Sequence, residues 1–271
     1  MQFLKQLLEQ SRVLTILYDN LPAEIKTAAL YQQTSDYLEK YAAFNNITAE
    51  ETIAVYTSYI IAYNKHAKLF VKTGKYPPEL GINDFSLSRQ QYDTVLTLSI
   101  LFTAHRFRIM QLLKEKAAPL QKALFIGLGS GLEIELTKNA YQEIHGYDLS
   151  VDPFLYSQFK DASFNAALYT GQFNNYFDAV YLVELLEHLE TPYDLLHTCY
   201  SSLKKGGHIF LTTATDIPQF DHLYNFPLNH DEFESRILKM GYSIVYKEMI
   251  PHHYLSLDIQ PCNHFYILKK V

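Results

Sequence analysis

The spacing of hydrophobic positions divides the chain into two parts. Over residues 1–118, apolar residues return every three or four positions, a spacing typical of amphipathic helices, and this pattern predicts four helices. The third is expected to begin after the capping box that starts at Thr48 and to end in the Gly- and Pro-containing stretch 72–78. The fourth is expected to run from about Ser88 to Lys116. The N-terminal part is therefore predicted to be an all-helical cap.

Beyond Pro119, short apolar runs alternate with helical patterns, which predicts an α/β fold with a parallel sheet covered by helices on both faces. The first five predicted strands are Lys122–Leu128, Glu143–Asp148, Ala166–Thr170, Phe177–Val183 and Gly207–Ala214. A helix over Asp231–Met240 precedes two more strands, about Ser243–Ile250 and His264–Lys270. Because only a loop joins these two strands, they are expected to pair antiparallel. The predicted domains are residues 1–118 and 119–271.

Composition narrows the range of functions. The 271 residues are 48% hydrophobic and carry a formal charge of −6, so the chain can bury a sizeable core and lacks the basic excess of a nucleic-acid-binding protein. Cys199 and Cys262 form no metal-binding or redox pair, which favours a reduced, cytoplasmic compartment. The N-terminus resembles an amphipathic helix rather than a signal peptide, and no run predicts a membrane span. A small-molecule partner is expected, and the oligomeric state stays open.

Three glycines lie directly after the first predicted strand, where a nucleotide cofactor can approach the backbone. Gly127, Gly129 and Gly131 stand between that strand and a helix. Glycine permits a tight turn and leaves room that a β-carbon would fill. Asp148 ends the second predicted strand about 20 residues later, where its carboxylate can accept hydrogen bonds from ribose hydroxyls. Together these residues predict a site for an adenosine-type cofactor.

Three further motifs accompany the glycine loop: Phe177-Asp178-Ala179-Val180, the turn Leu186-Glu187-His188-Leu189 followed by Pro192, and the stretch 203–211. With these motifs, residues from about Leu120 to Val271 resemble the class I S-adenosylmethionine-dependent methyltransferases. This resemblance implies a Rossmann-like seven-stranded sheet with an antiparallel last strand, S-adenosylmethionine as cofactor, and methyl transfer as the reaction. Oxygen is the expected acceptor atom, with nitrogen and carbon still open. Two rival hypotheses are a nicotinamide-dependent oxidoreductase and a non-catalytic S-adenosylmethionine-binding regulator.

The cofactor residues implied by the resemblance are Gly127, Gly129, Gly131, Asp148, Leu149 and Gln172. Two positions depart from the family pattern. Phe125 stands where the family usually has an acidic residue, so an anchor for the methionine end of the cofactor or for its water shell is missing there. Gln172 stands near the family's acidic residue for the adenine amino group, where its carbonyl could accept a hydrogen bond or where it is simply an exposed loop amide.

The fourth predicted strand leads into a group of two carboxylates and an imidazole. Glu184, Glu187 and His188 are spaced so that helical turns would place all three on one face. Carboxylate oxygen and imidazole nitrogen suit magnesium, manganese, iron or zinc. The group resembles the metal-dependent branch of the family, which includes ubiquinone-pathway O-methyltransferases and small-RNA 2′-O-methyltransferases. That resemblance implies His222, within Asp221-His222-Leu223-Tyr224, as a further ligand.

A metal-free interpretation of the same residues is equally open. Methyltransferases without a metal also carry a Leu-Glu-His-Leu turn, in which the histidine orients the substrate or acts as a general base and the glutamate caps a helix. In either case the catalytic residues are predicted to be His188 and Glu187. His230 is assigned to the start of a helix, and His252 and His253 are reserve candidates in a loop.

The helical part is rich in tyrosine and resembles the substrate-covering helices of small-molecule methyltransferases. Most of these tyrosines are expected to pack with their hydroxyls in water, and some to line an aromatic substrate pocket. The stretch His105-Arg106-Phe107-Arg108 is predicted to form a solvated helix face. An acidic or carrier-bound substrate is the alternative occupant of that face.

Overall fold

The computed structural model describes residues 2–82, 85–217, 222, 226–227, 229–252 and 261–271. Among these, seven α-helices precede the first strand, so the prediction of four helices is wrong. They are α1 Gln2–Gln10, α2 Arg12–Asp19, α3 Ala23–Thr27, α4 Ala29–Asn45, α5 Ala49–Thr73, α6 Arg89–Phe102 and α7 Ala104–Lys116.

Local hydrogen bonds and backbone angles explain where these helices begin and break. The Thr48 side chain accepts from the backbone N–H of Glu51, and the Glu51 carboxylate accepts from that of Thr48, so the capping box predicted for α5 is confirmed. The Ser11 side chain caps α2 in the same manner by accepting from Leu14 N. Thr103 has an extended backbone, with φ −134° and ψ 127°, which divides the predicted fourth helix into α6 and α7.

The remaining residues form the predicted sheet. Its strands are β1 Lys122–Ile126, β2 Glu143–Asp148, β3 Ser163–Ala166, β4 Phe177–Leu182, β5 Leu203–Thr215, β6 Tyr242–Pro251 and β7 Cys262–Lys270. The helices among them are α8 Leu132–Thr137, α9 Pro153–Gln158, α10 Pro192–Ser202 and α11 His230–Lys239. The strand order is β3-β2-β1-β4-β5-β7-β6, and β7 runs antiparallel to both β5 and β6. The predicted Rossmann-like sheet with its antiparallel last strand is confirmed.

The third strand lies earlier in the chain than predicted. The apolar run Ala166–Thr170 suggested a buried strand, but β3 ends at Ala166 and Leu168 is 65% exposed. Ser163 to Ala166 pair in parallel with His145 to Asp148 at the edge of the sheet. An edge strand is paired on one side only, so its sequence need not be the most apolar run nearby.

One hydrophobic core joins the helical part to the sheet. A single cluster of buried residues includes Leu38 of α4, Leu101 of α6, Phe125 of β1 and Phe265 of β7. The cap is therefore packed against one face of the sheet, while the division into domains at residue 118 stays a prediction. Within the described ranges, no helix is both long and apolar enough to cross a membrane.

Candidate active site

A cavity of about 750 Å³ lies between the helical cap and the carboxyl ends of β1, β2 and β4. Its floor includes Gly127, Gly129, Asp148 and Leu149, and its far end includes His188 and His222. Helices α2, α5, α6 and α7 supply the facing wall. Four candidate cofactor residues thus share one space with His188 and His222, whereas Glu187 is not among the residues that line it.

The three glycines have two different tasks. Gly127 and Gly129 line the cavity with φ values of +76° and +48°, which glycine adopts without strain. A β-carbon on Gly127 would lie 3.1 Å from Leu185 Cδ1, so these positions leave little room for a side chain. A β-carbon on Gly131 would instead collide with Leu155 of α9, so this glycine permits close packing behind the loop.

The Asp148 carboxylate accepts hydrogen bonds from two backbone N–H groups and one guanidinium. Its Oδ2 accepts from Leu128 N at 2.7 Å, and its Oδ1 accepts from Ser150 N at 3.1 Å and from Arg89 Nη1 at 2.9 Å. Arg89 belongs to α6 and also donates to Gly129 O at 2.8 Å and to Asp93 Oδ2 at 2.9 Å. One cap side chain therefore ties the glycine loop to the end of β2, a role that the sequence analysis missed.

The two remaining cofactor candidates lie in different places. Leu149 lines the cavity and is 75% exposed, so its side chain is available for contact with a flat ring. Gln172 is exposed, is not among the cavity-lining residues, and its Oε1 accepts from Thr170 N at 3.4 Å. The structure thus brings Leu149, and not Gln172, to the predicted cofactor region.

Glu184 does not share a helical face with Glu187 and His188, so that prediction is wrong. It lies two residues after the end of β4 and has φ +49°, whereas the other two lie in a short 3-10 helix, Leu186–His188. Its carboxylate accepts from Arg106 Nη1 at 3.0 Å and from Thr212 Oγ1 and Asn263 Nδ2 at 2.6 Å each. Burial alone would raise the pKa of Glu184, but these donors hold it below its usual value.

Glu187, His188 and His222 form a compact group in which one potential ligand atom from each lies within 4.8 Å of the others. The two imidazole rings are 5.0 Å apart and nearly perpendicular. Glu187 is fully buried, and neither of its carboxylate oxygens has a hydrogen-bond partner in the described part of the chain. Burial, and then repulsion from Glu184, raise the pKa of Glu187. A buried carboxylate without donors calls for a proton or a bound cation, so this donor set fits a divalent metal.

The predicted solvated face of α7 is instead largely buried. His105 and Phe107 are 8% and 1% exposed, and Arg106 lines the cavity. The rings of His105 and His252 stack at 3.5 Å, and His252 is hydrogen-bonded to Asn263. The prediction failed because α7 packs against α6 of the cap on one side and against α8 and β6 on the other, an arrangement that the helical period alone does not reveal.

Two other histidine predictions have different outcomes. His230 begins α11, where the Asn229 side chain accepts from Glu232 N, so its assignment to a helix start is confirmed. His253 lies outside the described residues, as do Asp221, Leu223 and Tyr224 of the motif around His222.

Comparisons with known proteins agree with this architecture. Residues 102–256 match a family model described as a methyltransferase domain. A ubiquinone biosynthesis O-methyltransferase of Shewanella sp. (strain ANA-3) is 28% identical over 102 residues, covering 34% of this chain and 43% of the relative. A protein of the same description from Pseudomonas aeruginosa (strain LESB58) is 25% identical over 130 residues, covering 45% and 55%. The chain thus spans about half the length of these curated relatives.

A solved structure gives the same fold over a larger share of the chain. A SAM-dependent methyltransferase from Archaeoglobus fulgidus aligns with a TM-score of 0.50 and 18% identity, over 62% of this chain and 95% of that protein. At this identity the likeness concerns the fold.

Proposed function

The chain belongs to the methyltransferase-domain family, and from that premise we propose that it transfers the methyl group of S-adenosylmethionine to a hydroxyl oxygen of a small aromatic molecule. The observation that carries the proposal is the single cavity that joins the glycine loop to His188 and His222. A methyl donor and a methyl acceptor have to meet in one space from which water is excluded.

The nucleoside end of the cofactor fits the residues at the ends of β1 and β2. Gly127 and Gly129 allow close approach to the backbone, Asp148 offers carboxylate oxygens for the ribose, and Leu149 offers an apolar surface for the adenine ring. When bound, S-adenosylmethionine supplies an electrophilic methyl group. The protein's own task is to orient the acceptor oxygen and remove its proton.

The far end of the cavity supports an oxygen acceptor. Glu187, His188 and His222 would hold a divalent ion, which when bound lowers the pKa of a substrate hydroxyl. His188 lines the cavity and, in the metal-free alternative, accepts the hydroxyl proton itself. The O-methyltransferase names of the curated relatives favour the same acceptor atom.

The side chains by which the cap helices line the cavity favour an aromatic acceptor. Tyr56, Tyr59 and Tyr63 of α5 and Tyr92 and Phe102 of α6 line the cavity. The rings of Tyr56 and Tyr59 are stacked at 6.0 Å, and Tyr56 also packs against Phe102. Such walls bind flat, apolar rings and leave few polar groups to fix orientation.

The proposal is tested by incubating the purified protein with S-adenosylmethionine and a panel of phenols, catechols, aromatic amines and carboxylic acids. Formation of S-adenosylhomocysteine with a hydroxylated acceptor, and not with its deoxy analogue, is the expected result. Turnover with amines alone would overturn the oxygen assignment. Thermal stabilisation by NADH or NADPH, and not by S-adenosylhomocysteine, would overturn the methyltransferase assignment in favour of an oxidoreductase.

The metal is tested separately from the methyl transfer. Protein dialysed against a chelator is expected to lose turnover and to regain it with one of magnesium, manganese, iron or zinc. Its affinity for S-adenosylhomocysteine should stay unchanged, because the nucleoside end contains none of the three proposed ligands. Full turnover of metal-free protein would leave His188 as the general base.

A further inference from the structure

One arginine of the cap occupies the carboxylate that the proposed function assigns to the cofactor ribose. Arg89 of α6 donates to Asp148 Oδ1 through Nη1 at 2.9 Å and to Asp148 Oδ2 through Nη2 at 3.4 Å. The same two oxygens accept from Ser150 N at 3.1 Å and from Leu128 N at 2.7 Å. A carboxylate has about four acceptor positions, so the guanidinium and the two backbone groups together fill them.

A ribose needs the acceptor positions that Arg89 fills. It presents two neighbouring hydroxyls, each of which donates one hydrogen bond to a carboxylate that holds the pair. Leu128 N belongs to the glycine loop and Ser150 N to the chain directly after β2, so backbone geometry fixes both donors. Arg89 is a long side chain and is 26% exposed. Of these donors, the guanidinium is therefore the one that can move away from Asp148.

A second acceptor for the guanidinium lies one turn further along α6. Arg89 Nε donates to Asp93 Oδ2 at 2.9 Å. The Asp93 side chain is fully buried, and its other oxygen, Oδ1, has no hydrogen-bond partner in the described part of the chain. Nε and one Nη of a guanidinium can donate together to both oxygens of a single carboxylate. A rotation of the Arg89 guanidinium would thus supply the donor that Asp93 Oδ1 lacks.

We propose that Arg89 and the cofactor ribose compete for Asp148, and that ribose binding moves the Arg89 guanidinium onto both carboxylate oxygens of Asp93. The proposal rests on the proposed function, because it takes a nucleoside as the ligand that reaches Asp148. Arg89 Nη2 also donates to Gly129 O at 2.8 Å, and this bond is lost in the same movement. Cofactor binding is therefore coupled to α6, whose Tyr92 and Phe102 line the cavity opposite the glycine loop.

The first test is the affinity of Arg89→Met for S-adenosylhomocysteine, measured by isothermal titration calorimetry on the full chain. Methionine keeps an unbranched apolar side chain and removes every donor. If a competitor holds Asp148 about nine-tenths of the time, its removal raises the apparent affinity about 10-fold, so a several-fold gain is expected. The affinity for adenine, which has no ribose, should stay unchanged. A residue that merely supported Asp148 would give the opposite result, a loss of cofactor affinity.

Asp93→Asn tests the second position of the guanidinium in a double-mutant cycle. Burial raises the pKa of Asp93 to about 7, so at pH 8 its carboxylate is charged, and an amide in its place holds Arg89 less strongly. Because Arg89 then stays on Asp148, this variant should bind S-adenosylhomocysteine several-fold more weakly. In the Arg89→Met background the same substitution should have no effect. Equal effects in the two backgrounds would contradict the movement onto Asp93.

Arg108→Met is the matched control for the loss of a cap arginine. Arg108 Nε donates to Glu248 Oε1 of β6 at 2.8 Å, and Arg108 is not among the cavity-lining residues. It should leave both affinities unchanged. A crystal structure of the wild-type protein with S-adenosylhomocysteine gives a measurement that does not depend on the folding of any variant. In it, the Arg89 guanidinium should bond to both oxygens of Asp93 and to neither oxygen of Asp148.

The outcomes distinguish this proposal from the proposed function. Weaker or unchanged binding of S-adenosylhomocysteine by Arg89→Met would overturn the competition, and so would a guanidinium that stays on Asp148 in the complex. A parallel change in the affinity for adenine would also overturn it, because it would indicate an altered cavity shape. Failure of the wild-type protein to bind S-adenosylhomocysteine at all would instead overturn the proposed function, and the competition with it.

Discussion

The two ends of the cavity differ in how their carboxylates are satisfied. At the nucleoside end, Asp148 accepts from two backbone N–H groups and from Arg89. At the chemical end, Glu187 is fully buried with no donor to either oxygen among the described residues. The contrast teaches that the carboxylate at the first end is satisfied by the protein's own donors, whereas the one at the second end depends on a proton or on the cation that we propose.

Substitutions at the chemical end should have the largest effect. Glu187→Gln keeps the volume of the side chain and removes the charge, and we expect it to remove bound metal and to lower turnover by about 10²- to 10⁴-fold, the range for loss of an acid, base or its activator. His188→Ala should have a similar effect on turnover. Metal content by mass spectrometry and the rate of S-adenosylhomocysteine formation provide the measurements.

Glu190→Gln is the control for these variants, because Glu190 follows the 3-10 helix and is exposed. Normal turnover in Glu187→Gln would contradict the contrast between the two ends of the cavity, since Glu187 would then be an ordinary buried acid. Normal turnover with normal metal content in His188→Ala would exclude this histidine both as ligand and as base.

At the nucleoside end, we expect the free energy of unfolding to change with pH, because Arg89 is paired with the buried carboxylate of Asp93. Burial raises the pKa of Asp93, the partner of Arg89, to about 7, although Arg89 opposes the shift. Asp93 therefore stabilises the fold below its unfolded pKa, and this contribution is lost as pH rises to about 7. Between pH 5 and pH 8 we expect a loss of roughly 2 to 3 kcal/mol in the free energy of unfolding from this group.

Asp93→Asn should abolish that pH dependence, and Asp161→Asn, at an exposed position, should preserve it. Urea denaturation at the two pH values measures the difference. An unchanged pH profile in Asp93→Asn would show that the titration of Asp93 is not the cause of this pH dependence.

Asp148→Asn should weaken S-adenosylhomocysteine by about 10-fold, because the ribose hydroxyls would lose a charged acceptor. The affinity for adenine alone should stay unchanged, since adenine has no ribose. If both ligands lost affinity equally, the loss would come from a displaced glycine loop, which Asp148 holds through Leu128 N.

Gln172→Ala should have the smallest effect, less than about twofold on cofactor affinity, the range of an exposed side chain away from the site. The side chain is exposed and lies outside the cavity lining. A tenfold loss of cofactor affinity in calorimetric titration would instead support the contact between Gln172 and adenine that the resemblance implied.

Some parts of the site could be predicted from neighbouring residues. The turn after β1 needs positive φ at Gly127 and Gly129, and the glycine spacing reports that requirement directly. Asp148 ends β2 as predicted, because the period of apolar residues fixes where that strand stops. The same reasoning failed for Glu184, since a helical spacing assumes a helix and the chain there turns with φ +49°.

What the sequence by itself determined is the alternation of strands and helices beyond residue 119, the glycine turn, and the presence of acid and imidazole groups after β4. These follow from hydrophobic period and turn chemistry, which act over a few residues. The tertiary structure alone decided that Arg89 reaches Asp148 and that Arg106 holds Glu184, and it brought His222, which only the family resemblance implied, beside Glu187 and His188. Those contacts join residues far apart in the chain, and their geometry is set by how the cap helices pack on the sheet in the shared core.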